Sequence, residues 1–137
     1  MGCPEVNFLL DTHILIWWFQ GASDLPSRYK QLLVDAEQKE SPIGISIISL
    51  WEIALLQSRG RVRFSISLDH WFSELEVSPW IHILPLKSSI ILESTRLGET
   101  FHKDPADRMI VATARCENLK LLSVDEKICQ SGLAIIA

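Results

Sequence analysis

Four acidic side chains stand next to apolar stretches of this sequence, where an unpaired carboxylate is costly to bury. Asp11 interrupts FLLDTHILIWW, and Glu52 interrupts SLWEIALL. Asp107 leads the helical pattern of DPADRMIVATA, and Asp125 follows the apolar LKLLSV. If these acids meet in the fold, their mutual repulsion requires a cation, and Mg²⁺ or Mn²⁺ prefers such oxygen ligands. Water held by such an ion is a suitable nucleophile for hydrolysis.

Helix capping is the ordinary structural alternative for most of these acids. Asp11 stands between a predicted strand and a predicted helix, as an N-cap residue would. Asp104 precedes a proline in the position typical of an N-cap, and capping is the role we favour for it. Asp125 precedes a short helical stretch that it would cap. Glu52 resists this explanation, because it shares a helical face with apolar residues three and four positions away.

The apolar pattern predicts an α/β domain, in which buried strands alternate with helices. Short, nearly continuous apolar runs are typical of strands in a parallel sheet. They predict strands at 6–10, 44–48, 81–86, 119–124 and 133–136. Helices are predicted at 12–19, 27–39, 49–59, 68–76, 88–98 and 105–118, with Ser27 and Ser67 as candidate N-caps.

This order of elements predicts that the acids converge. Asp11 and Asp125 leave strands at their carboxyl ends, and Asp107 opens a helix that would start from the same side of the sheet. In open α/β sheets that side is where ligands bind, at the point where the strand order reverses. We therefore expect a divalent cation site at this edge.

Length and composition predict one cytoplasmic domain over residues 1–137. The three cysteines have no zinc-type spacing and are odd in number, which argues against a disulfide framework. No secretion signal is visible, and the longest apolar stretch is too short to cross a membrane comfortably. A net charge of −4 excludes a broadly basic surface for nucleic acid.

The motifs LLDTH, SLWEIA, DPADRMIVATA and LLSVD, in this order, resemble those of the PIN-domain ribonucleases, specifically the VapC-type toxins of toxin–antitoxin pairs. The resemblance implies a mainly parallel sheet between helices and a metal-binding quartet formed by Asp11, Glu52, Asp107 and Asp125. It also implies hydrolysis of RNA with Mg²⁺ or Mn²⁺, a cognate antitoxin and a homodimer.

Further residues match positions around such a site. Thr12 and Ser123 stand where a small hydroxyl residue often accompanies the acids and orients a carboxylate or a bound water. The candidates for RNA contact are Arg59, Arg61, Arg63 and Arg108, with Lys103 and Arg115 near the third acid. Arginines more often form a solvated face or pair with acids, and His13 and His102 fit the surface better than catalysis.

Two tryptophan predictions concern surfaces. Trp17 and Trp18 are consecutive and cannot both face one side of a helix, so at least one should be partly exposed. Trp51 is expected in the core. The main functional alternative is a PIN-like module that binds RNA or protein without cleaving it.

Overall fold

The computed structural model describes residues 6–101 and 103–137 and confirms the α/β fold. In these residues four strands form one parallel sheet: β1 (Phe8–Leu10), β2 (Ile43–Ser46), β3 (Ile81–Leu84) and β4 (Lys120–Leu122). Seven helices connect and cover the strands: α1 (Thr12–Gln20), α2 (Ser27–Gln38), α3 (Ile47–Ser58), α4 (Leu68–Val77), α5 (Ser88–Ser94), α6 (Pro105–Cys116) and α7 (Glu126–Ser131).

The strand order of the sheet is β3-β2-β1-β4. The chain adds β2 and β3 on one side of β1 and then crosses to place β4 on the other side. The order therefore reverses between β1 and β4, and the carboxyl ends of these two strands border the crevice where an α/β sheet binds ligands. Asp11 and Asp125 follow those two strands.

Side chains of successive strand residues point to opposite faces of the sheet, which explains the continuous apolar runs. Leu10 and Leu122 belong to one apolar cluster, together with helices α1 and α2. Leu9 and Leu121 belong to a second cluster, with α6. The core thus lies on both faces of the sheet and holds its edge rigid.

Several predicted elements are shorter than expected, among them the strands predicted at 81–86 and 119–124, which end at Leu84 and Leu122. The expected strand at 133–136 is reduced to one parallel bridge between Leu121 and Ile136. The helix predicted at 88–98 ends at Ser94. The predicted strand at 44–48 was wrong in its last two residues, because the Ser46 hydroxyl accepts from Ile48 N–H and caps α3 there.

The cap predictions have mixed outcomes. Ser67 caps α4, since its hydroxyl accepts a hydrogen bond from His70 N–H. The prediction that Ser27 is an N-cap was wrong. Ser27 is the first residue inside α2, and Pro26 occupies the cap position without a side-chain hydrogen bond.

The two tryptophan predictions also have different outcomes. Trp17 and Trp18 are both partly buried, and the Trp18 ring packs edge-on against Trp80 with centroids 5.1 Å apart. Partial exposure at this pair is therefore confirmed. The core prediction for Trp51 was wrong, because its side chain is 51% exposed while Ile53 on the same helix is buried.

No helix in the described part of the chain combines the length and the hydropathy that a membrane crossing requires.

Candidate active site

Asp11 lies at the carboxyl end of β1 and begins α1 as its N-cap. Its backbone N–H donates to Leu122 O at 3.0 Å, which ties it to β4. Asp11 is only 5% exposed, and its carboxylate accepts two hydrogen bonds. Thr12 N–H donates to Oδ1 at 2.8 Å, and the Ser123 hydroxyl donates to Oδ2 at 2.7 Å. The prediction of capping and the prediction of a site residue therefore describe the same position.

The Ser123 hydroxyl connects Asp11 to Asp125. Besides donating to Asp11, it accepts from Asp125 N–H at 3.1 Å. Asp125 in turn caps α7, where its Oδ1 accepts from Ile128 N–H at 3.0 Å. Thr12, the other predicted hydroxyl, is fully buried, and its Oγ1 donates to Ser49 Oγ at 3.1 Å. Both residues thus lie where the sequence places them, directly behind the acids.

Glu52, Asp104 and Asp107 form the tightest acidic group. One carboxylate oxygen from each lies within 4.8 Å of the others. Glu52 comes from the middle of α3, whereas the other two come from the start of α6. Asp104 also performs the predicted capping, because its Oδ1 accepts from Ala106 N–H at 2.9 Å. The capping prediction was correct but incomplete.

The pKa of Asp107 depends on all four of the other acids. Burial is the first cause that raises the pKa of Asp107 from its ordinary 3.8 to about 8. The charges of Asp11, Asp104, Glu52 and Asp125 add to this rise. Although Asp11 and Asp125 are outside the tightest group, their charges therefore reach the same site.

Two more acids have a raised pKa. Burial raises the pKa of Asp11, while the hydrogen bonds from Ser123 and Thr12 N–H oppose part of that rise. Burial also raises the pKa of Glu52, and the nearby Thr12 hydroxyl opposes part of it. Burial and the neighbouring negative charges thus disfavour the charged forms of these acids.

The donor set fits a hard divalent cation. Glu52 Oε1 is a buried oxygen that has no hydrogen-bond partner among residues 6–101 and 103–137. Buried polar atoms in native structures are nearly always satisfied, so this atom needs a ligand. A cluster that consists only of carboxylate oxygens is the chemistry that Mg²⁺ and Mn²⁺ prefer.

The predicted RNA-contacting arginines lie in different surroundings. Arg59, Arg61 and Arg63 follow the carboxyl end of α3, where Arg59 is about 10 Å along the helix axis from Glu52. Arg108 lies on α6, where its guanidinium donates to Ser94 O and Gly98 O. RNA contact by these four remains a prediction.

Other charged candidates have structural partners or lie outside the description. Arg115 donates to Glu93 Oε1 at 3.0 Å and to Leu133 O at 2.6 Å, so it pairs as arginines commonly do. His13 is exposed, and its charge lowers the pKa of Asp11 as a lesser cause. His102 lies outside the described residues.

Tyr29 supports the site from behind and was not predicted. It is 1% exposed, on α2, and its hydroxyl lies 3.1 Å from Ser123 O and 3.0 Å from Ala137 O. The same oxygen accepts from Ser123 N–H at 3.3 Å. The backbone of Ser123 is therefore fixed by a residue 94 positions earlier, a contact that no local pattern indicates.

A Tyr29→Phe variant should lower the free energy of unfolding by about 1–3 kcal/mol, because Ser123 N–H loses its acceptor in a buried place. Urea denaturation measures this change. Ser58→Ala is the matched control, since it removes an exposed hydroxyl that bonds Leu55 O and should change stability by less than about 0.5 kcal/mol. Equal midpoints for Tyr29→Phe and wild type would contradict the support that we assign to this hydroxyl.

Known proteins share this sequence pattern and fold. The family model described as PIN domain matches residues 8–132. Ribonuclease VapC22 of Mycobacterium tuberculosis (strain ATCC 25618 / H37Rv) is 28% identical over 120 residues, which cover 88% of each chain. A chain of VapBC2 from Rickettsia felis, solved bound to a promoter DNA fragment, superposes with a TM-score of 0.68 at 20% identity and covers 96% of this chain and 98% of its own.

A chain of a toxin–antitoxin complex from Klebsiella pneumoniae has a TM-score of 0.65 at 21% identity, with 94% of this chain and 96% of that chain covered. These likenesses to solved structures concern the fold. The family match spans nearly all of the sheet and every acid of the site. The chain therefore belongs to the PIN-domain family.

Proposed function

We propose that this protein is a metal-dependent endoribonuclease that hydrolyses RNA phosphodiester bonds, and that it is the toxin of a toxin–antitoxin pair. Membership of the PIN-domain family supports the nuclease assignment. The relative from Mycobacterium tuberculosis is named a ribonuclease and matches over 88% of this chain. The similar folds from Rickettsia felis and Klebsiella pneumoniae come from VapBC2 and from a toxin–antitoxin complex.

The observation that carries the proposal is the group of Glu52, Asp104 and Asp107 with its unsatisfied buried oxygen on Glu52. These three residues would hold Mg²⁺ or Mn²⁺, and Asp11 and Asp125 complete the set. The quartet predicted from the sequence thus becomes a proposed set of five through Asp104. The chemistry that a divalent cation supplies in such a site is activation of a water and neutralisation of charge on a phosphate.

The protein's own residues hold this set in a fixed geometry. Thr12 N–H and the Ser123 hydroxyl orient both oxygens of Asp11, and Ile128 N–H orients Asp125. Because the pKa of Asp107 is raised to about 8, this carboxyl keeps a proton near neutral pH when no cation is bound. Loading the site therefore releases a proton, and the affinity for the cation should increase with pH.

The partners follow from the same relationship. We infer a cognate antitoxin, because the similar solved chains include one from a toxin–antitoxin complex. The homodimer and the cytoplasmic location stay predictions from the resemblance of the sequence. Size-exclusion chromatography with light scattering would measure the mass of the purified protein alone and after co-expression with a neighbouring gene product. A monomeric mass at all concentrations would contradict the homodimer.

The direct test is cleavage of total cellular RNA by the purified protein with Mg²⁺, Mn²⁺ or EDTA, followed by mapping of new RNA ends. We expect discrete cuts with either cation and none with EDTA. A Glu52→Gln variant removes the charge beside the unsatisfied oxygen and should abolish the cuts. If the wild type binds Mn²⁺ and leaves all RNA intact, the non-cleaving binding module replaces the nuclease.

A further inference from the structure

A cleft with a volume of about 810 Å³ opens beside the acids. Asp104, a member of the tightest acidic group, is one of the residues that line it. The rest of its walls come from the chain that leads into α6 and from α7 with Leu133, two residues after its end. A space of this size falls in the range of small-ligand sites, about 300–1,000 Å³. It is therefore large enough for part of a substrate whose reacting bond lies at the acids.

Two lysines carry positive charge on the walls of this cleft. Lys103 and Lys127 line it from its two different segments, and both are exposed. Neither takes part in an ion pair within the described residues. Among the described residues, Glu99 and Asp104 are the acids on the walls, and each lies on the same segment as Lys103. Two ammonium groups that form no ion pair among residues 6–101 and 103–137, beside the proposed cleavage site, suit the backbone phosphates of a nucleic acid strand.

The other lining residues favour hydrogen bonds over stacking. Gln130 lines the cleft from α7 and is exposed, so its amide offers a donor and an acceptor to a base edge. Phe101 also lines it but is only 6% exposed, and the Arg108 guanidinium lies 5.7 Å from the centre of its ring. This ring is therefore a poor platform for a base, unlike the exposed aromatic residues that stack bases in proteins that bind single strands.

Three other cavities suit this role less well. One of about 570 Å³ shares Lys103 and Glu99 with the cleft and is also lined by Arg108, but none of the five acids lines it. A cavity of about 490 Å³ near Arg115 contains none of the five acids among its lining residues. One of about 390 Å³ between α1, α4 and β3 is lined mostly by apolar and aromatic residues, and its charged lining residues are Glu37 and Glu74. Phosphate binding is thus favoured in the cleft that includes Asp104.

We propose that this cleft binds the single-stranded RNA adjacent to the scissile phosphate, with Lys103 and Lys127 contacting backbone phosphates and Gln130 contacting a base. This inference rests on the proposed function. It predicts that substrate choice depends on the nucleotide next to the cut, read by an amide.

The test measures binding separately from cleavage. Lys103→Glu, Lys127→Glu and the double variant are made in wild type and in an Asp107→Asn background, and a labelled short single-stranded RNA is titrated by fluorescence anisotropy. Each phosphate contact contributes about 0.7 to the slope of log affinity against log salt for a single strand. We expect the double variant to reduce this slope by about 1.4 and to weaken binding at least about 10-fold.

Lys120→Glu is the matched control, because it makes the same charge change at an exposed residue at the start of β4, the opposite end of that strand from the acids. It should leave the slope unchanged. In wild-type background the lysine variants should lose activity through KM. If both lysine variants match the control in slope and KM while the wild type cleaves RNA, the cleft proposal is overturned. A reduced slope without any cleavage by wild type would support the cleft and refute the nuclease.

Discussion

An Asp107→Asn variant should lose RNA cleavage by a factor of about 10³ or more and yet unfold at a higher temperature than wild type in EDTA at pH 8. The loss follows because several kcal/mol of transition-state stabilisation come from a bound cation, and each 1.36 kcal/mol is a factor of ten in rate. The gain follows because burial disfavours the charged carboxylate and because the other four acids of the site repel it. Function and stability therefore oppose each other at this residue.

The pH dependence of this gain has a defined sign. The pKa of Asp107 rises from an ordinary 3.8 to about 8 in the folded protein, so the folded state binds more protons than the unfolded state between these values. Stability of the wild type must then fall as pH rises through this window and level off above it. The variant lacks this titration, so its advantage should be small near pH 4 and largest near pH 8.

Thermal unfolding in EDTA at several pH values measures the effect. Because solvent screens a partly exposed group, we expect about 1–3 kcal/mol at pH 8, or roughly 3–6 °C per kcal/mol for a chain of this size. Saturating Mg²⁺ should reverse the order, since only a protein that binds the ion gains RT ln(1 + [L]/Kd).

Asp69→Asn provides the matched control for this prediction. Asp69 is an exposed acid in the first turn of α4, away from the acidic group, so the same chemical change should leave cleavage intact. Cleavage by Asp107→Asn at the wild-type rate, or a lower unfolding temperature at pH 8 in EDTA, would show that Asp107 does not carry the role proposed here.

The acids could be predicted from the sequence because their positions relative to the strands determine where they meet. Asp11 directly follows β1, and Asp125 follows the end of β4 by three residues. Parallel strands have their carboxyl ends at one edge of the sheet. Asp107 starts a helix from the same edge. Local pattern and tertiary placement agree at these residues, whereas their role as metal ligands stays a prediction.

The capping role of Asp104 made its second position, in the acidic group, hard to predict from the sequence. Its position before a proline accounts fully for capping, so nothing local demands a second role. A carboxylate has two oxygens and several acceptor sites, which allows it to cap α6 and contribute to the acidic group. The spacing of three residues between Asp104 and Asp107, about one helical turn, is the local signal that could have indicated the pair, but the sequence analysis did not use it.

Residues whose role depends on distant contacts could not be predicted. The Tyr29 hydroxyl meets Ser123 across 94 residues, and an apolar ring on an amphipathic helix indicates only burial. Trp51 was placed in the core because large aromatic residues usually lie there. On α3 the inward face carries Glu52 and Ile53 instead, and Trp51 is left half-exposed.

A Ser123→Ala variant should weaken Mn²⁺ binding by about 10- to 100-fold, the usual effect of removing a residue that orients a metal ligand. The Ser123 hydroxyl is the donor to Asp11 Oδ2 at 2.7 Å and the acceptor for Asp125 N–H at 3.1 Å. Without it, two acids lose their shared restraint. The buried oxygen of Asp11 also loses a partner, so the free energy of unfolding should fall by about 1–3 kcal/mol.

Titration calorimetry with Mn²⁺ separates this orienting role from a loss of fold, because it is performed on protein that circular dichroism shows to be folded. Ser73→Ala is the matched control: its exposed hydroxyl bonds Asp69 O within α4, outside the residues of the proposed site. The control should bind Mn²⁺ as wild type does. A Ser123→Ala protein with wild-type affinity would mean that the fold alone orients Asp11, through Thr12 N–H and the β4 backbone, and that the serine is dispensable.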